Sequence, residues 1–276
     1  MLRPIIPKIF LFVPANRPDR FEKAWASGAD EVVLDWEDTV ASADKAAARA
    51  HTAAYGRQED SRPVWVRVNA ANSPHHAEDI AAVAALPQIK GVILAKAENA
   101  DGITTLHWQT GRAVVAGIET AQGMMAIPSM AQAEGLFAFT YGCLDLANDL
   151  GIRFGSTSAQ AVFDRLRTDL LLYSRVNRLH PPLETTFPEF NDEAAIARNT
   201  VYWRDFGFGG VLCIHPKQVA AVRSALRPTA AELVFARKIL ERADLDGKAV
   251  FQVDGQMVDL PVIEWARSMV GKAEHD

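Results

Sequence analysis

The chain has little cysteine: two residues, Cys143 and Cys213, among 276. Both fall inside or next to strand-like runs, so a disulfide framework is not indicated and a reducing cytoplasm is the simpler setting. It has no excess of basic charge. Lysine and arginine number 29 against 34 acidic residues, giving a net charge of −5, which removes the broad basic footprint of a nucleic-acid binder. Local basic groups can still grip an anion. No stretch approaches the ~18 consecutive apolar residues of a membrane span. The proline-interrupted N-terminus MLRPIIPKIFLFVP lacks the apolar region and cleavage site of a secretory signal. The chain also lacks GxSxG, HExxH, a P-loop and a paired CxxC, so serine, cysteine and zinc hydrolysis are not expected. The expectation is a cytoplasmic protein with neither membrane nor nucleic acid as partner.

What the chain does have is 49% hydrophobic and 23% charged residues, the balance of a globular protein with a sizeable core. The apolar stretches KIFLFVP, EVVLDWED, VWVRVNA, GVILAK, AVVAGIET, FAFTYG, PPLETTF and GVLCIHP come in order, and each finishes on polar or charged residues. Those residues are Arg17 just after the first, Glu37 and Asp38, Arg67 and Asn69, Lys96, Glu119, Asp145 just past the sixth, and His215. A buried parallel strand should be apolar throughout. Charge collecting at successive carboxyl ends is how a (β/α)8 barrel builds an active site.

Helical patterns separate the runs. SADKAAARAHTAAYG is alanine-rich and closes on Gly56; AQAVFDRLRTDLLLYSRVNRL is the longest before the tail; PSMAQAEG reads as a short helix with Pro128 near its start. Eight strand–helix units imply a parallel sheet closed into a TIM barrel over residues 1–227. Residues 228–276 fall outside the repeat. They read as a helix, a hairpin with an Asp-Gly turn in KAVFQVDGQMVDLP, and a last helix. Such a tail suits a C-terminal arm or lid, or a plain packing element.

Glu119 and Asp145 end consecutive strands, so they are neighbours on the barrel rim. Two carboxylates with open positions left for water and substrate suit Mg²⁺; Asp149 and Asp38 are the alternatives. Arg67 sits in a strand otherwise fit for burial and needs an anion. That anion is a substrate carboxylate held bidentately, an internal partner such as Glu37 or Asp38, or both. Arg17 and Arg20 stand at the first strand-to-helix turn, where a phosphate or carboxylate would fit; solvated surface charge is the rival reading. Lys96 ends the fourth strand. Its neighbouring charges favour an electrostatic or ion-pair role over a Schiff base. His215 reads as structural or as site lining.

At these residues the sequence resembles the beta subunit of citrate lyase and its stand-alone relatives, within the HpcH/HpaI aldolase and malyl-CoA lyase group. The stretches that carry the resemblance are LFVPANRPDRFEKAWASGADEVVLDWEDTV, VRVNAANSP, GVILAKAENAD, GIETAQG, DLANDLG, GFGGVLCIHPKQV and VDGQMVDLP. The resemblance implies a (β/α)8 barrel and a Mg²⁺-dependent carbon–carbon lyase. Its substrate would be a 3-hydroxyacyl-CoA thioester, cleaved to a keto acid and an acyl-CoA. It also implies a homotrimer or homohexamer in which the arm of one subunit covers the mouth of the next. By position, Glu119 and Asp145 match the metal ligands, Arg67 the arginine on the keto acid, Glu37 the carboxylate beside it, and Arg17 the first-loop arginine near the substrate. Asp259 matches the aspartate a neighbouring subunit offers as acid or base.

The chain departs from the family pattern at Ala15, Trp36, Ala95 and Leu144, and at Leu183 and Glu184 in place of an Ile-Asp pair. Trp36 suggests a pocket of altered shape. Rival readings are a thioesterase on the same barrel and a CoA-independent pyruvate aldolase. The latter lacks its expected histidine in DWEDTVASADK. A non-catalytic dicarboxylate-binding or assembly subunit is the rival from another class.

Overall fold

The computed structural model describes residues 8–246 and 250–273. Residues 1–7, 247–249, which include the start of the KAVFQVDGQMVDLP stretch, and 274–276 lie outside the described residues. Eight segments run parallel: β1 (Lys8–Pro14), β2 (Glu31–Asp35), β3 (Val64–Val68), β4 (Ile89–Leu94), β5 (Ala113–Ile118), β6 (Leu136–Tyr141), β7 (Leu183–Glu184) and β8 (Gly210–Cys213). Their order is β6-β5-β4-β3-β2-β1-β8-β7. The sheet curls into a barrel that is laddered all round except between β6 and β7. There the join is made by a bond from the His180 amide to the Phe137 carbonyl, 2.9 Å, and by side chains.

Strand alternation explains the core. One side chain from each strand points inward: Phe10, Val33, Trp65, Ile93, Val115, Ala138, Leu183 and Leu212. The intervening Val32, Val66, Val92 and Val114 are equally buried, against the helical layer, so both strand faces are apolar as a parallel sheet requires.

The helices are α1 (Phe21–Ala26), α2 (Lys45–Tyr55), α3 (His76–Ala85), α4 (Ala100–Thr110), α5 (Ala121–Met130), α6 (Cys143–Asp149), α7 (Thr157–Val176), α8 (Glu193–Asp205) and α9 (Pro216–Leu226). Asn99, Thr120, Ser156 and Asp192 cap α4, α5, α7 and α8, each side chain accepting an amide hydrogen bond from the first turn. Three local expectations change. The helix after the fifth strand begins at Ala121, so Pro128 lies in its last turn, not its first. The DLANDLG stretch forms α6, placing Asp145 in a first helical turn. The seventh run yields a strand of only two residues; Pro181 and Pro182 remove the amide donors a longer ladder needs.

The chain divides into two compact units, the first ending at Val222 and the second continuing from Arg223. The second holds α10 (Ala230–Asp246), an antiparallel hairpin of β9 (Phe251–Val253) and β10 (Gln256–Val258), and α11 (Leu260–Ala273). Asp254 and Gly255 turn the hairpin at φ of 49° and 81°, the positive pair an Asp-Gly turn supplies. Its own core gathers Ala236, Ile239, Phe251, Val258, Ile263 and Ala266.

Candidate active site

The site is built outward from a pair of facing strand residues. Parallel register sets Asp35, the last residue of β2, beside Arg67 in β3. Asp35 is fully buried, and its carboxylate takes the Arg67 guanidinium at two points: Nε donates to Oδ1 and Nη2 to Oδ2, both at 2.7 Å. The same carboxylate accepts the Glu37 amide at 3.0 Å, and the Thr39 amide and hydroxyl at 3.2 and 2.6 Å. The guanidinium also lies over the Phe12 ring, 4.8 Å from its centroid. Arg67 is therefore locked in place. Its remaining nitrogen, Nη1, faces Glu37 at 3.3 Å and Asp38 at 3.6 Å.

The turn after β2 is held from behind. The buried Lys45 ammonium donates to the carbonyls of Trp36 and Glu37 at 2.7 and 2.6 Å. Asn69 Nδ2 donates to the Trp36 carbonyl at 3.0 Å and to Asp79 at 2.6 Å. Arg49 in turn pairs with Asp79 at 2.7 Å. These bonds fix the peptide that presents Glu37 and Asp38.

Lys96, just past β4, reaches into the middle of the acids. Its ammonium donates to Glu37 at 2.8 Å and lies 3.5 Å from Glu119, 3.8 Å from Asp38 and 3.9 Å from Asp145. Glu119 follows β5 and is buried, with 6% of its surface exposed. Gly142, after β6, makes room for it: a Cβ there would meet Glu119 Cγ at 2.8 Å.

Burial and like charge perturb these groups. Burial raises the Glu119 carboxyl, Arg67 and Lys96 pull it down, and Glu37 and Asp145 push it up, leaving it near pH 7, at about 7. Glu37 is likewise raised, chiefly by burial, against the charge of Arg67 and with Asp38 adding to the rise. Asp35 goes the other way. Burial favours its neutral form, but the charge and hydrogen bonds of Arg67 outweigh that and hold it low. Burial pulls Lys96 down, yet its bond to Glu37 and the charges of Glu119, Glu37 and Asp38 carry it above the usual lysine value, so its ammonium stays charged.

Phe12, Ile93 and Leu212 line an adjoining cavity of about 200 Å³, with Asp38, Arg67, Glu119 and Asp145 on its walls. A larger groove of about 600 Å³ lies beside the β6–β7 join. Its buried ionic residues, Arg167 and Glu184, are already paired at 2.7 Å.

The residues fit a divalent cation. Glu119 Oε2 is buried without a hydrogen bond, and the acids around it outnumber Arg67 and Lys96. Among the described residues no three His, Cys, Asp or Glu side chains converge on one point. A cation here would take Glu119 and Asp145 from the protein and complete its shell with water and substrate oxygens, as Mg²⁺ commonly does.

The structure thus brings together Arg67, Glu37, Lys96, Glu119 and Asp145. Arg17 is half exposed and pairs with Asp19 at 2.9 Å, away from the cavity walls. Asp259 stands at the start of α11 in the second unit, where its carbonyl accepts the Ile263 amide at 3.0 Å. Of the alternative metal ligands, Asp149 caps α5 through the Ala121 amide at 2.7 Å, and Asp38 lines the cavity. His215 is structural: its Nδ1 accepts the Lys217 amide at 3.1 Å and its ring stacks on Phe190. Trp36 does not shape the cavity. It is fully buried and its indole donates to Thr52 of α2 at 2.9 Å. Asp35, which holds Arg67, and Lys45, which holds the turn after β2, are positions the sequence reading passed over. The signal for Asp35 was present: an acid closing the apolar run VVLD, one strand before Arg67.

Residues 8–216 match the family described as HpcH/HpaI aldolase/citrate lyase. A citrate lyase subunit beta-like protein of Mycobacterium tuberculosis is 36% identical over 271 residues, covering 96% of this chain and 94% of its own. A (3S)-malyl-CoA thioesterase of Cereibacter sphaeroides is 30% identical over 278 residues, covering 96% and 93%. The crystal structure of the Mycobacterium tuberculosis protein CitE in complex with magnesium, acetoacetate and coenzyme A superposes with a TM-score of 0.87 at 33% identity, covering 99% of this chain and all of that one. The chain belongs to the HpcH/HpaI aldolase/citrate lyase family.

Proposed function

We propose that this family member is a Mg²⁺-dependent carbon–carbon lyase that cleaves, or in reverse forms, a 3-hydroxyacyl-CoA of the citryl, malyl or citramalyl type. The observation that carries the reading is a buried carboxylate oxygen with no hydrogen bond, on Glu119, within reach of the same ammonium as Asp145 and beside an arginine fixed at two points. Glu119 and Asp145 would hold Mg²⁺, which would supply Lewis-acid chemistry to the oxygens of the substrate.

The chain's own groups do the rest. In the cleavage, a retro-aldol step, a carboxylate of the cluster takes the hydroxyl proton, the C2–C3 bond breaks, the hydroxyl carbon becomes the keto acid carbonyl, and the bonding pair stays on the acyl-CoA as its enolate. Arg67 cannot turn away, because Asp35 holds two of its nitrogens, so Nη1 is aimed at negative charge arriving in the cavity. Glu37, raised by burial, and the positively charged Lys96 hold the other side of that space. Asp259 protonates the enolate carbon, or removes that proton in the reverse direction, as the acid or base one subunit lends to the next. Arg17, on the first loop, serves near the substrate. The assembly is a cytoplasmic homotrimer or homohexamer, with residues 228–276 as the lending arm.

Thioester hydrolysis is the second reading, favoured by the 30% identity to the malyl-CoA thioesterase. A coupled assay with Mg²⁺ and malyl-, citramalyl- and citryl-CoA separates the two, following keto acid and free thiol independently. Keto acid without thiol is expected. Thiol without keto acid makes the chain a thioesterase. In either case Asp259→Asn should lower turnover by about 10²–10⁴-fold while Mg²⁺ and keto-acid binding persist. Binding without turnover in the parent protein points instead to a non-catalytic subunit.

A further inference from the structure

The backbone of Lys96 has φ of +49°, a left-handed conformation that a residue with a Cβ adopts only when its surroundings demand it. What the strained turn achieves is visible at the other end of the side chain. The ammonium lies within 4 Å of four carboxylates: Glu37, Glu119, Asp38 and Asp145, at 2.8, 3.5, 3.8 and 3.9 Å. Only the Glu37 contact is a hydrogen bond. Of the three without one, Glu119 Oε2 and Asp145 Oδ1 lie on the metal side and Asp38 Oδ1 beside Glu37, so the ammonium is anchored on Glu37 within reach of the oxygens a divalent cation would use.

We infer that Lys96 sets the strength of the metal seat: it is a built-in competing cation that keeps Mg²⁺ affinity low until a chelating 2-keto acid binds with the metal. The inference rests on the proposed Mg²⁺ site. Two cations cannot share Glu119 and Asp145 at these distances without repulsion, which falls off slowly in a partly buried site. Glu37 and Asp38 remain to receive the ammonium when the metal arrives. A chelating keto acid would bring further negative charge to the metal, which would offset that repulsion. Metal and keto acid should therefore bind with positive coupling, and by linkage the coupling is mutual.

The experiment is isothermal titration of the full chain with Mg²⁺ alone, and again in saturating pyruvate or oxaloacetate. Parent protein is compared with Lys96→Met, Lys96→Arg and Lys96→Gly. Lys96→Gly removes the ammonium and also suits the left-handed backbone, so it covers the case in which Lys96→Met does not fold. Removal of the ammonium is expected to tighten Mg²⁺ binding by about tenfold or more and to shrink the gain produced by keto acid. Lys96→Arg, which keeps the charge, should stay within a few-fold of the parent. The inference is overturned if the uncharged variants bind Mg²⁺ no better than the parent, or if Lys96→Arg tightens binding as much as they do. If neither parent nor variants bind Mg²⁺ with or without keto acid, the metal reading itself falls and takes this inference with it.

Discussion

Replacing Asp35 by asparagine should be among the most damaging conservative changes in the barrel. Both carboxylate oxygens only accept: Oδ1 from Arg67 Nε and the Glu37 amide, Oδ2 from Arg67 Nη2 and from the Thr39 amide and hydroxyl. Whichever side takes the new amide nitrogen then turns a donor towards donors. The charge on Arg67 also loses a partner that is 0% exposed. Unit charges ~4 Å apart attract by about 4 kcal/mol at an effective dielectric of ~20, and removing one member of a buried pair costs about 3–5 kcal/mol. Glu37 and Asp38 still face Nη1 at 3.3 and 3.6 Å, so the expected loss lies near the lower end, about 3 kcal/mol. Urea unfolding of the full chain, followed by both tryptophan fluorescence and circular dichroism, measures it. The double replacement Asp35→Leu with Arg67→Met should recover much of the loss, because an apolar pair of similar volume leaves no buried charge alone. The sign with pH is also fixed. Burial raises the Asp35 pKa, but the charge and bonds of Arg67 outweigh it and the net shift is downward. Its contribution is thus complete above the unfolded value of ~3.9 and is lost as pH falls through the lower folded value. The gap between parent and Asp35→Asn should narrow in acid. A loss under ~1 kcal/mol, or a double variant as unstable as the two singles added together, would refute the reasoning.

Other outcomes follow from the same geometry. Glu119→Gln and Asp145→Asn should each weaken Mg²⁺ by more than the ~10–100-fold typical of changes outside the ligand shell, read by titration calorimetry. Because burial raises Glu119 to about 7, Mg²⁺ affinity should climb about tenfold per pH unit below that value and level off above it, with proton release on binding. The raised pKa also means that protonated Glu119 supports the metal-free fold fully below its unfolded value and that this support is lost as pH rises through about 7. Glu119→Gln should then gain stability relative to the parent between pH 5 and 8 in thermal melts. Gly142→Ala places a Cβ 2.8 Å from Glu119 Cγ. The circular dichroism spectrum should be unchanged while Mg²⁺ affinity falls; equal affinity would show that Glu119 has room to move.

The strand ends were legible because a parallel barrel strand leaves little place for charge except at its rim, and Arg67, Glu119 and Lys96 break apolar runs there. The partner of Arg67 was harder to see. Asp35 lies 32 residues away, and only strand register, which no local pattern fixes, puts the two side by side. Lys45 reads in the sequence as a surface charge opening an alanine-rich helix; its burial depends on the turn of residues 36–39 folding back over it. Trp36 invited a pocket role because it stands where the family pattern has a smaller aliphatic residue, whereas alternation along the strand sends it outward to Thr52. The short seventh strand was masked by the apolar look of PPLETTF, in which the two prolines decide the matter.

The unladdered join between β6 and β7 has a consequence for how the molecule breathes. Everywhere else, parting two strands breaks a row of backbone hydrogen bonds. At the join it breaks the His180–Phe137 bond and a few side-chain links, such as Cys143 to Thr185 at 3.4 Å. Sub-global opening takes the path that sacrifices least, so among the barrel strands amide exchange should be fastest in β7 and slowest in β2 to β5. The strands that carry Asp35, Arg67, Lys96 and Glu119 form the unbroken back of the cylinder. The barrel can loosen like a split ring at one gap while its ion cluster stays assembled.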